Sequence, residues 1–134
     1  MDTSKEYILM CEKAGEIRDK WDKTDYCPPS QEGIHFHKGY MLFCKVEKFS
    51  FASVGMVEEV FLPRQDQLQD MIELSKDEIP RCKYLTYYVA AFVDKEYPDY
   101  CEQFNSMEQF WLAFVMKEKY SKIWTGKDWE VNGQ

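Results

Sequence analysis

The residues best suited to chemistry in this 134-residue chain are Cys27, His35, His37 and Cys44. Thiolates and imidazoles are the ligands that zinc prefers, and four of them complete a tetrahedral site. On a strand, His35 and His37 point to one face, which favours chelation. The spacing is adverse, because neither cysteine belongs to a Cys-x-x-Cys knuckle and Cys44 falls on a neighbouring strand of open register. A polar sheet face with two exposed histidines explains the pattern more simply, so the four are weak metal candidates and no cofactor is expected. Nucleophilic catalysis would have to use one of these two histidines as its base, and no Gly-x-Ser-x-Gly elbow accompanies them. The adjacent acids Glu58-Glu59 and Asp77-Glu78 point apart on a strand or helix. Six glycines scattered singly form no phosphate-cradling loop. Cys11, Cys82 and Cys101 read as small buried hydrophobes, and no catalytic residue stands out.

Binding offers more. Arg64, Asp66 and the glutamines around them follow a strand and a proline, where a helix start presents side chains together with free amides. The simpler account has Asp66 favouring the helix start and Arg64 pairing with a nearby acid. Trp124 and Trp129, with Tyr120, suit a recognition patch, since Trp and Tyr are enriched at binding hot spots, although such a tail more often folds back and completes the core. Between Asp66 and Glu102, around Asp77, nine acidic residues face four basic ones and carry −5 of the total charge of −7. Such a zone could steer a basic partner, although a solvated face is the commoner explanation. Stacking of single-stranded nucleic acid on Phe36, Phe43 and Phe49 is a further alternative.

The elements that must position these groups follow from hydrophobic spacing. Thr3 to Glu6 reads as a capping box, and Tyr7, Ile8, Cys11, Ala14, Ile17 and Trp21 mark one apolar face of a helix running to about Lys23. Pro28 and Pro29 end it. From Gly33 the period becomes two: Ile34 and Phe36 alternate with the histidines, Lys38-Gly39 offers a tight turn, and Tyr40 to Phe49 and Val57 to Leu62 complete a meander of two or three antiparallel strands. A short helix is expected from about Arg64 to Leu74. The stretch 80–96 fits helical spacing at Cys82, Leu85, Tyr88, Val89, Phe92 and Val93 but also has high β propensity; we favour helix because the apolar stripe is regular. Ser106 to Gln109 forms another capping box before a helix with a stripe of Met107, Phe110, Trp111, Phe114 and Val115, and Gly126 is the expected stop. The result is one α+β domain spanning residues 1–134, with about four helices on a small antiparallel sheet.

Composition narrows function. Hydrophobic residues make up 45% of the chain, which excludes disorder for most of it. Net charge −7 leaves little Lys and Arg for a duplex-binding surface, so nucleic acid is an unfavoured partner. No stretch approaches the ~18 consecutive apolar residues of a membrane span, and no basic-then-apolar leader opens the chain. Five evenly spread cysteines suit reduced thiols in a cytoplasm.

Two segments, FLPRQDQLQDMI at 61–72 and SMEQFWLAFVMKEKYSKIWTGKDW at 106–129, resemble a group of small acidic proteins encoded by phages and prophages of Gram-positive bacteria. The opening YILMCEKAGEIRDKW is similar to theirs as well. The resemblance covers roughly half the chain and implies a setting, the cytoplasm of a bacterial host, without supplying a catalytic residue. We therefore expect an accessory protein that acts by binding a host or phage protein, of unspecified oligomeric state, rather than an enzyme. A metal-binding domain or metal-dependent enzyme centred on His35 and His37 is the alternative.

Overall fold

A computed structural model describes residues 1–21, 31–47, 56–72, 81–96 and 98–131. The chain is of mixed helix and sheet. Helices α1 (Lys5–Lys13) and α2 (Gly15–Arg18) precede strands β1 (Gly33–His37), β2 (Tyr40–Glu47) and β3 (Met56–Leu62). Then come α3 (Gln65–Asp70), α4 (Arg81–Ala91), a π-helical segment (Phe92–Glu96), α5 (Pro98–Cys101), α6 (Met107–Tyr120) and a hairpin of β4 (Lys122–Trp124) and β5 (Trp129–Val131).

The meander forms as its alternation requires. β2 lies between β1 and β3, antiparallel to both, with Ile34 opposite Phe43 and Leu42 opposite Phe61. Lys38 and Gly39 both take positive φ, 49° and 81°, which is the twist a two-residue hairpin turn needs. One sheet face carries Lys45 and Glu58 side by side. Lys45 reaches Glu12 of α1 at 2.9 Å and Glu58 faces Arg18 of α2 at 4.0 Å, so these helices lie across that face, over the buried Val60 and Leu62. On the other face Tyr40 meets Phe61 edge-on at 5.3 Å.

Helix α6 departs from the simple amphipathic pattern. Every residue from Trp111 to Met116 is buried, whereas Met107, expected inside, is 52% exposed. A helix that is apolar all round belongs in the interior, and α1, α3 and β4 surround this one. Its start is built as expected at Ser106, whose hydroxyl accepts from the Gln109 amide at 3.1 Å, but the Gln109 side chain accepts from the backbone of Asn105 and not of Ser106. It stops at Ser121, left-handed at φ 55°, and not at Gly126, which serves the β4–β5 turn. The chain must reverse at Ser121 for Lys122 to Trp124 to pair with the last strand, so the helix ends one turn early.

Other expectations shift too. The first helix does not run on toward Lys23: it breaks at Ala14, a buried residue with φ −92° and ψ 72°, whose amide turns back to Cys11. Its cap is Ser4 and not Thr3, with the Ser4 hydroxyl accepting from the Tyr7 amide at 3.2 Å. The stretch 81–91 is helix, as the stripe requires, with Leu85 and Phe92 buried. Short helices α2 and α5 and the terminal hairpin raise the number of elements above the four helices and one sheet expected.

Two polar anchors fix α1. The Tyr7 hydroxyl, fully buried, donates to the Pro63 carbonyl at 2.5 Å and ties α1 to the end of β3. The Asp2 carboxylate joins two helix starts: it accepts from the Ser4 amide at 2.8 Å, the Ser106 hydroxyl at 2.5 Å and the buried Gln109 amide at 2.9 Å. A negative charge here also complements the positive end of α6. Burial pushes the Asp2 carboxyl up, but hydrogen bonds from Ser106, Ser4 and Gln109 outweigh it and hold the group below its ordinary value.

Replacing Tyr7 with Phe should therefore cost about 1–3 kcal/mol in urea denaturation, because the Pro63 carbonyl keeps its burial and loses its donor. For Asp2, whose pKa is lower folded than unfolded, the stabilisation is present above the unfolded value and lost as pH falls through the folded one. Asp2→Asn should lower stability at neutral pH and flatten its decline below about pH 4, read from denaturation midpoints across pH 2 to 7.

Candidate interaction surface

The β1–β2 register places His35 opposite Leu42, His37 opposite Tyr40 and Gly33 opposite Cys44, so the histidines and Cys44 do share one face. They do not converge on a metal. Cys44 is fully buried, while the Nε2 of His35 lies 3.1 Å from the Gln31 carbonyl. A carbonyl only accepts, so that nitrogen carries the hydrogen and presents no lone pair to an ion. Among the described residues no group of three or more His, Cys, Asp or Glu side chains is placed to hold a metal. Cys27 lies outside the described residues, as do Asp77 and Phe49. Of the aromatic trio proposed for nucleic acid, Phe36 is 76% exposed, but Phe43 packs against the core, so these two make no continuous stacking platform.

The C-terminal tryptophans fold back onto the core, and the recognition patch is not formed. Trp124 and Trp129 pair across β4 and β5 with ring centroids 5.1 Å apart, and both are buried. Trp129 Nε1 donates to the Met10 carbonyl at 2.9 Å, and Trp124 Nε1 donates to Glu6 at 3.1 Å. Tyr100 holds the Trp124 amide through its hydroxyl at 2.8 Å. The hairpin also reaches α2 through an ion pair of Lys122 with Glu16. These rings close the core over α1 and are not available to a partner.

Arg64 and Asp66 remain at the surface, yet their groups are engaged locally. Arg64 forks onto Asp66 at 3.0 and 3.2 Å and reaches the Gly39 carbonyl at 2.5 Å; Gln67 joins it there at 3.3 Å. The hydrogen bond from Arg64 holds the Asp66 carboxyl below its ordinary range. This cluster pins the β1–β2 turn against the start of α3, and the Gln67 side chain accepts from the Arg64 amide at 2.9 Å.

What the structure does present is a ridge of tyrosines on α4. Tyr84 and Tyr88, one turn apart, lie with ring centroids 4.2 Å apart, and Tyr87 meets Tyr88 edge-on at 5.3 Å. Tyr87 is 68% exposed and Tyr88 40%. Partial burial, the hydroxyl contact with Tyr88 and the charge of Glu118 hold the Tyr84 phenol above its ordinary pKa. Two clefts flank the ridge. One, of about 240 Å³, is formed by the tyrosines and Lys83; the other, of about 280 Å³, runs past Ile72 and Phe114 to Glu118 and Lys119.

Sequence spacing puts Tyr88 on the buried stripe and gives Tyr87 no role, whereas both are exposed. The available signal was the pair itself: on a helix, neighbours point about 100° apart, so Tyr87 and Tyr88 cannot both face a core reached through Leu85 and Phe92. Comparison with protein-family models, with curated proteins and with solved structures finds no match.

Burial separates the two aromatic groups energetically. Trp129→Ala should cost about 3–5 kcal/mol in chemical denaturation, as for a large core ring. Tyr87→Ala, on an exposed helix face, should stay within about 0.5 kcal/mol of the parent.

Proposed function

We propose that this protein is a phage or prophage accessory protein without enzymatic activity, acting in a bacterial host by binding a host or phage protein through the tyrosine ridge of α4. The carrying observation is that Tyr87 and Tyr88 are adjacent, exposed and held in a ring cluster with Tyr84. Tyrosine supplies large contact area with two side-chain torsions to order and a hydroxyl that stays satisfied when covered, which is why it recurs at interface hot spots. Rings already stacked against each other lose less freedom on binding than isolated ones. The ridge also lies within the acidic stretch from Asp66 to Glu102, whose charge favours encounter with a basic partner. The resemblance of 61–72 and 106–129 to phage and prophage proteins supplies the setting.

Capture from host lysate, with and without phage infection, tests this. The parent protein should retain one stoichiometric polypeptide, and a Tyr87→Ala, Tyr88→Ala double variant should retain at least about tenfold less, the effect of losing a hot spot. Lys127→Ala, at an exposed position of the β4–β5 turn outside the acidic stretch, should bind as the parent does. Undiminished capture by the double variant would remove the ridge from the interface.

A further inference from the structure

Strand β1 stands at the edge of the three-stranded sheet, with β2 on its inner side. The turn that follows decides which of its backbone groups are spare. Lys38 and Gly39 make a two-residue turn, so His37 and Tyr40 on either side of it exchange both their hydrogen bonds, and the pattern alternates back along the strand. Gly33, His35 and His37 thus direct their amides and carbonyls to β2, while those of Ile34 and Phe36 point outward. Among the described residues no strand lies beyond them and no other backbone group turns to meet them. Edge strands are commonly blunted by proline, a bulge or a charged side chain. Residues 33–37 contain no proline or charged residue and pair with β2 without a bulge. Phe36, on the same face as Ile34, is instead 76% exposed.

This edge is complementary to itself. Laid antiparallel against a copy with His35 on the two-fold axis, Ile34 of each chain faces Phe36 of the other, so each outward N–H meets an outward C=O. The exposed Phe36 ring then packs beside Ile34 of the second copy. The same register brings Glu32 opposite Lys38, both exposed, and sets opposite charges together on each side of the axis. Moving the axis to Ile34 would set Glu32 against Phe36, and moving it to Phe36 would set Lys38 against Ile34. Only the register centred on His35 matches backbone, apolar and charged groups at once. We infer that β1 is a self-association edge, through which two copies of this chain join their sheets antiparallel across His35. No residue of the α4 ridge takes part, so the association stands whether or not that ridge binds a partner.

A strand of five residues makes a small interface, so the dimer should form between about 10 µM and 1 mM. Sedimentation equilibrium of the full chain across that range should show the mass rising from one chain to two. Lys38→Glu should weaken dimerisation roughly threefold to tenfold, and adding Glu32→Lys to the same chain should restore it, because the exchanged charges meet again across the axis. His35→Cys puts two thiols at a pair without backbone hydrogen bonds, where Cα atoms lie about 4.5 Å apart, within reach of a disulfide. Mild oxidation should link this variant into a covalent dimer above the parent's background, and should leave Glu32→Cys, exposed but far from the axis, at that background. A chain that stays monomeric at about 1 mM, leaving the edge to a strand of another protein, overturns the assignment. So does a charge exchange that fails to restore dimerisation, or oxidation that links both cysteine variants alike.

Discussion

Helix α6 is the constraint on which the rest depends. Six consecutive residues, Trp111 to Met116, lie inside the molecule, so the helix needs cover on every side and no single sheet can supply it. α3 packs on it, α1 reaches its first turn through Asp2 and Gln109, and β4 doubles back along it after Ser121. Phe92, at the start of the π-helical segment, inserts between Phe110 and Phe114 with edge-on contacts at 5.9 and 5.3 Å. Aromatic rings suit this role because edge-to-face pairs fill space in several directions while keeping a defined geometry.

That arrangement explains which surface is left for function. The tryptophans at the chain's end are drawn into the cover, Arg64 and Asp66 are taken up in pinning a turn, and the histidine strand is tied locally at Gln31. α4 contributes Leu85 and Phe92 to the core and turns Tyr87 outward. One helix thus serves both packing and presentation, with the tyrosine cluster carried by a helix whose Leu85 is buried in the core.

Much of this was legible from residue order. Period-two spacing from Gly33 to Leu62 and the Lys38-Gly39 turn mark the meander, since a one-residue slip would turn Leu42 and Phe61 to the wrong face. Leu85 and Phe92 mark α4, and Ser106 marks the start of α6. The misreadings have a common cause. Periodicity identifies one apolar face, whereas Trp111 to Met116 are buried on every face, so spacing alone puts Met107 inside and the helix end at Gly126. β4 and β5, of three residues each, are too short for alternation to register. The Asp2 and Tyr7 anchors join positions more than fifty residues apart, and such pairings leave no trace in local spacing.

The path of α1 has a consequence for how the chain comes to be made. Residues 2 to 10 hold their partners at Ser106, Gln109, Trp124 and Trp129, between 104 and 119 positions downstream. On a ribosome these residues emerge well before their partners and must wait, with Tyr7 and Met10 uncovered, until the β4–β5 hairpin has left the exit tunnel. Closing such long loops is slow compared with forming a local helix or turn. α1 is therefore sealed late although it is made long before its partners, and a nascent chain stalled before Trp124 would still display the apolar side of α1.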